Sequence, residues 1–220
     1  MTLSNIIVLL FINFVVSYLW HVAITTLFLF LTIYTTKSTQ FKSEKIQNLQ
    51  HKFGLNTNIL YYSGCRASPT TFDTLIPFTR PIIIFETTND SEFVIYHEFS
   101  HLKQRHTLKY FILTMFIGSI VSISLSKVVW WENLLIDIIS LQILGRFYEI
   151  EADKIAIKRC STEQLFQAIS MFNDIKKDRY QQTYLDKFLN LIDVHPTEKQ
   201  RIHMIKDEII SRKNNFRDIV

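Results

Sequence analysis

Residues 5–36, NIIVLLFINFVVSYLWHVAITTLFLFLTIYTT, contain no Asp, Glu, Lys or Arg. No other stretch restricts the folding of this chain as strongly. Crossing a bilayer takes about 20 consecutive apolar residues, so this run is expected to form one long or tilted transmembrane helix with residues to spare. It lacks a basic start and a small-residue cleavage site, so it does not read as a cleaved signal peptide. His21 inside it reads as a packing residue rather than a ligand.

A second apolar region runs from Tyr110 to Gly145. Its first half, Tyr110 to Leu125, is helical in composition. Trp130-Trp131 then stand beside Glu132 and Asn133, the aromatic and polar mixture of a membrane interface. The second half, Leu134 to Leu144, is short and carries Asp137. The region is expected to be a helical hairpin that enters the membrane and returns, with an amphipathic helix as the competing reading of its second arm. Lys37, Lys42 and Lys45 follow the first run, Lys103, Arg105 and Lys109 precede the hairpin, and Arg146 follows it. The positive-inside rule puts these flanks in the cytoplasm, and a hairpin returns its two ends to one side. His97 and the residues after Arg146 should therefore share a compartment.

Gly and Pro number only 4 each in 220 residues, which favours helices over a turn-rich β architecture. Short β-type runs occur at Ile59–Tyr62 and Ile82–Phe85, and Pro81 before the second suits an edge strand. The expected fold is mainly α with a small β-sheet. It comprises an N-terminal membrane segment over residues 1–36 and a domain over 37–220, interrupted by the membrane hairpin at about 110–145. The net charge of +4 is mild and dispersed, which excludes nucleic acid as the expected partner. Cys65 and Cys160 are far apart in sequence and outside any Cys-x-x-Cys pair. They predict neither a disulfide framework nor thiol chemistry, and favour a reducing compartment.

The chemistry sits at His97-Glu98-Phe99-Ser100-His101. Asp90 or Ser91 can cap a helix over residues 91–105 with Glu92 in its first turn. On that helix His97 and His101 share a face one turn apart, so both imidazoles can grip one zinc ion. Glu98 then lies beside a zinc-bound water and can take its proton during attack on an amide carbonyl.

A catalytic zinc takes three protein ligands and keeps one open position. Candidates beyond His101 are His106, Glu132, Asp137, Glu149, Glu151, Asp153, His195 and His203. Glu149 and Asp153 share a helix face, so one can bind the metal while the other accepts the free ring N–H of a ligand histidine. Glu151 points off that face and reads as a solvated charge. His106 is five residues beyond His101, more than a right angle off the ligand face of a continued helix, and reads as structural or interfacial. His195-Pro196 opens a further helix that carries Arg201. An Arg and a His near a zinc-bound water would stabilise an oxyanion. The residues by themselves fit a helix N-terminus with a surface Arg at least as well.

Together these motifs resemble the membrane-embedded gluzincin metallopeptidases. His97-Glu98-xx-His101, the region Tyr110–Gly145, Glu149-xxx-Asp153 and His195-Pro196 with Arg201 are similar to the CAAX prenyl protease and HtpX heat-shock protease family. Residues Ser68-Pro69 to Ile84 and the continuation His101 to His106 look more like the β-lactam-sensing antirepressor peptidases. No sensor domain of the latter kind is present in the sequence. The resemblance implies His97, His101 and Glu149 as ligands of a single Zn2+, Glu98 as general base and Asp153 as the outer partner of a ligand. It also implies transition-state roles for His195 and Arg201. It points to an integral membrane endopeptidase, its active site on the cytoplasmic side of the cell membrane, acting on protein or membrane-associated peptide substrates. A catalytically silent membrane signalling protein that binds a partner through the same zinc fold is the alternative.

Overall fold

A computed structural model describes residues 2–64, 69–73, 80–88, 90–125, 130–178 and 195–217. Cys65, Ser68 and the turn of the expected hairpin at 126–129 lie outside the described residues, as does the side chain of His21. In chain order the elements are α1 (Leu3–Thr35), β1 (Thr39–Phe41), α2 (Glu44–Phe53), β2 (Leu60–Ser63), β3 (Thr70–Phe72) and β4 (Ile82–Phe85). These are followed by α3 (Glu92–Gln104), α4 (His106–Leu125), α5 (Trp130–Arg159), α6 (Thr162–Asp178) and α7 (Glu198–Arg217). The fold is mainly helical with one small mixed sheet.

The strands run in the order β1-β2-β4-β3. β1 is antiparallel to β2, β2 parallel to β4, and β3 antiparallel to β4, with Ile83 between Tyr61 and Thr71. β4 is thus an inner strand, which corrects the edge position expected from Pro81. Proline needs only to avoid donating to a ladder. Pro81 stands just before the strand and accepts through its carbonyl from the Leu60 N–H at 2.9 Å. The edge beside the helices is β3, which the sequence pattern left unread.

Helix α3 crosses the middle of the molecule. The Ser91 hydroxyl caps it by accepting from the Val94 N–H. Asp90, the other candidate cap, instead accepts from Glu86 N–H and the Thr87 hydroxyl and fixes the turn before it. Phe93, Ile95 and Phe99 of α3 pack into one core with Phe53 of α2, Phe85 of β4, Ala156 and Ile157 of α5, Leu165 of α6 and Ile205 of α7. Each fully buried Phe or Ile contributes about 1.5–3 kcal/mol relative to exposure. This core fixes the helix that carries the histidines against the helix that carries Glu149 and Asp153.

Helix α1 lies along α4, with Phe14 and Tyr18 meeting the ring of Phe111 edge-on. Its other side leaves Leu3, Ile7, Phe11 and Phe30 exposed. Among the described residues no helix is long and apolar enough to cross a membrane. The span expected within residues 1–36 and the membrane hairpin at about 110–145 are therefore not supported by the fold. The hairpin's second arm also runs on past Gly145 without a break, as part of the 30-residue α5. A lone Gly inside a helix costs only about 1 kcal/mol relative to Ala, so Gly145 does not end it.

Candidate metal centre

His97 and His101 face each other on α3 with their Nε2 atoms 3.1 Å apart. Glu149 of α5 reaches between them, with Oε2 3.1 Å from His97 Nε2 and Oε1 3.4 Å from His101 Nε2. Donors at zinc bond lengths of about 2.05 Å in a tetrahedron stand about 3.3 Å apart, so this spacing fits one zinc ion. The chemistry of the donor set agrees: two imidazoles and a carboxylate make three ligands and leave one position open. Glu149 Oε2 is buried with no well-aligned hydrogen bond and meets only cationic or imidazole nitrogens at 3.1–3.5 Å, so it is available to a bound cation.

Asp153, one helical turn beyond Glu149, is fully buried. Its Oδ1 accepts from His97 Nδ1 at 2.8 Å, and its Oδ2 accepts from Arg201 Nε at 2.8 Å. A ring proton fixed on Nδ1 leaves the His97 Nε2 lone pair toward Glu149 and the metal position. Arg201 also brings Nη2 to 3.5 Å from Glu149 Oε2 and lies over the ring of Phe172. His195 is less covered and stands with Nε2 3.4 Å from Glu149 Oε2. Thr197 and Gln200 cap α7 reciprocally and so set the angle at which Arg201 enters the site.

Glu98 is buried, and its Oε2 accepts a 2.6 Å hydrogen bond from the Thr71 hydroxyl of β3. His97, Glu98, His195 and Arg201 open onto one cavity of about 350 Å³, whose apolar wall includes Val94, Met171, Phe172 and Ile175. His97, Glu98, His101, Glu149, Asp153, His195 and Arg201 thus converge, with two additions, while the side chains of the candidates Glu132 and Asp137 lie outside the described residues. Thr71 was missed because a three-residue strand gives almost no periodic signal. His106 was set aside on the geometry of a continued helix, but α3 stops at Arg105 and His106 turns back to within 2.9 Å of His101. His203, another candidate ligand, is exposed and pairs with Asp207 on α7.

The charges follow from burial and pairing. Burial works against a charge on His97, but the Asp153 and Glu149 carboxylates outweigh it and carry its pKa up to about 10. Burial, reinforced by the charge of His97, pulls His101 down to about 3. Burial would raise Glu149, yet the neighbouring His97 holds it well below the usual carboxylate range. Burial pushes Glu98 up, against the opposing pull of His97 and the Thr71 hydroxyl.

Without metal His97 is therefore an imidazolium at neutral pH, whereas as a ligand it must be neutral. Zinc uptake at pH 7 should release about one proton from this residue. The apparent association constant should rise about tenfold per pH unit through neutrality and level off near the His97 pKa of about 10. Calorimetry in buffers of different ionisation heat measures the proton count, and zero release would contradict this charge assignment.

A metal held by two histidines of one helix and a carboxylate of another, beside a buried glutamate, is the arrangement of a mononuclear metallopeptidase. The model of peptidase family M48 matches residues 70–209, more than half of the chain, and that range contains every residue of the site. The chain belongs to this family, whose members are zinc-dependent metallopeptidases. No curated protein and no solved structure matches it.

Proposed function

We propose that this protein is a zinc endopeptidase that hydrolyses protein or peptide substrates beside a lipid bilayer. The observation that carries this reading is the placement of Glu98. It is buried, held by Thr71, and opens on the same cavity as His97 and His195. His97, His101 and Glu149 would hold the zinc, and Asp153 would keep His97 in the ligand tautomer. A bound zinc would supply Lewis acidity toward the scissile carbonyl and an attacking water. Glu98 would act as the base that takes a proton at the cavity and delivers it to the leaving amine. His195 lines the cavity with its Nε2 3.4 Å from Glu149 Oε2, a position from which the ring would donate to an oxyanion, and Arg201 adds positive charge beside Glu149. An extended substrate would lie beside β3 (Thr70–Phe72), the outer strand of the sheet next to Glu98.

Chelation followed by metal return tests the reading. Cleavage of an unfolded protein such as casein should vanish with chelator and come back with one equivalent of zinc. Cleavage that survives full removal of zinc would overturn it.

The bilayer part rests on exposed apolar side chains on two adjacent helices: Leu3, Phe11 and Phe30 of α1, and Ile112, Phe116 and Ile120 of α4. Lipid is the partner that covers such faces without polar groups. The basic residues Lys37, Lys42, Lys45 and Lys103 near these faces support a cytoplasmic, anionic membrane surface as the one that the site faces. The chain should stay with the membrane fraction through alkaline carbonate extraction. Release into the supernatant would overturn the bilayer assignment and leave the peptidase assignment intact.

A further inference from the structure

Asp153 accounts for the free ring nitrogen of His97, but nothing so far accounts for that of His101. Its Nδ1 lies 2.9 Å from Nδ1 of His106, and Nε2 of His106 lies 3.3 Å from Oε2 of Glu151. His106 is buried and its ring stacks on Tyr148, with centroids 4.6 Å apart and planes 13° from parallel. Tyr148 and Glu151 stand on α5 on either side of Glu149, so the helix that supplies the carboxylate ligand also clamps His106.

The tautomers of this chain of groups are fixed by the metal site. If His101 offers Nε2 to zinc, its proton must sit on Nδ1. That proton faces His106 Nδ1, which must then be an acceptor. The single proton of a neutral His106 is left on Nε2, where the Glu151 carboxylate accepts it. Each donor in the sequence His101, His106, Glu151 meets one acceptor, and no other arrangement of protons satisfies all three groups while freeing His101 Nε2.

The backbone adopts an unfavourable conformation to bring His106 there. Arg105 is a non-glycine residue in the left-handed region at φ 51° and ψ 47°. Such a conformation costs about 1–2 kcal/mol for an L-residue with a Cβ. It ends α3 and starts α4 at His106, and so returns that ring toward His101 instead of carrying it round the helix. Strain of this kind is retained where the surrounding contacts outweigh it.

We propose that His106, braced by Tyr148 and Glu151, is the positioning residue for the second zinc ligand, holding His101 as Asp153 holds His97. The inference rests on the zinc reading of the site and deepens it. Outer partners of ligand histidines typically change metal affinity by about 10–100-fold when removed.

The test is zinc affinity of the full chain, measured by competition with a chromophoric chelator, for wild type, His106→Phe, His106→Asn and His97→Ala. Phe keeps a ring against Tyr148 but lacks the acceptor, so His106→Phe should bind zinc about 10–100-fold more weakly. Its metal-free unfolding midpoint should not fall. Asn restores an oxygen acceptor near the Nδ1 position and should recover part of the affinity, although it loses the stack. In the zinc-loaded wild type, ¹⁵N-histidine spectra should show a protected Nδ1–H on His101, and His106→Phe should expose it to exchange. A filler role would give the reverse ranking, Phe better than Asn, with the proton unmoved. Zinc bound by His106→Phe within about twofold of wild type would overturn the proposal. Binding that survives His97→Ala would overturn the zinc site itself, and with it this inference.

Discussion

Glu98→Gln is expected to lower peptide-bond cleavage by about 10²–10⁴-fold, the usual contribution of a general acid–base group, while the chain keeps its zinc. The amide has the shape of the carboxylate and its oxygen can still accept from the Thr71 hydroxyl, so the side chain should stay in place. What it loses is the ability to take a proton from water and hand it to the leaving nitrogen. Glu98 is not within the ligand group of His97, His101 and Glu149, so metal content should not change. Burial already disfavours its ionised form, and a neutral replacement should leave the unfolding midpoint equal or higher. Cleavage and zinc content measured on the same preparation decide the matter. Turnover within a few-fold of wild type, with zinc present, would remove Glu98 from the chemistry.

Asp153→Ala should produce two losses at once. The carboxylate is fully buried and joins three helices, accepting from His97 of α3 and Arg201 of α7 while standing on α5. Without it the buried His97 and the partly buried Arg201 keep only Glu149 as counter-charge, and removing one partner of a buried charge pair costs about 3–5 kcal/mol. His97 also loses the acceptor that fixes its tautomer, which should weaken zinc binding by about 10–100-fold. Asp153→Asn should fall between the two, since its oxygen can still accept from His97 but its charge is gone. Urea unfolding of the metal-free protein measures the first effect and chelator competition the second. An Ala variant as stable as wild type, and as tight for zinc, would contradict the linking role given to Asp153.

The two substitutions differ in what the sequence showed of them. Glu98 lies between His97 and His101, and helical geometry alone puts it beside any metal those residues hold. By spacing Asp153 was legible only as one of two carboxylates sharing a helix face, and it was the family resemblance that implied its place as the outer partner of a ligand. Which of the pair faces the metal depends on how α5 is rotated against α3, and that is set by the packing of Ala152, Ala156 and Ile157, not by spacing. By spacing Arg201 was a residue on the last helix, with a transition-state role implied only by the resemblance; its contact with Asp153 came from the packing of α7 beside α6.

Local information, carried over a few residues by fixed backbone periods, was enough to determine the helix with its two histidines, a cap at Asp90 or Ser91, the helical character of the chain and the pairing of Glu149 with Asp153 on one face. Where that information was extended beyond its range it misled. Extrapolating α3 past Arg105 turned His106 away from the site it faces, because nothing in a helical wheel announces a left-handed residue other than Gly or Asn. Reading Pro81 as an edge signal misplaced β4, because proline constrains only its own missing donor and strand order is decided by long-range pairing. Thr71 reached Glu98 only when β3 paired with β4, across a sequence separation that no local rule spans. The sequence determined which groups can do the chemistry. The tertiary structure decided which of them meet, because helix rotation, strand order and the turn at Arg105 are fixed by contacts between segments distant in the chain.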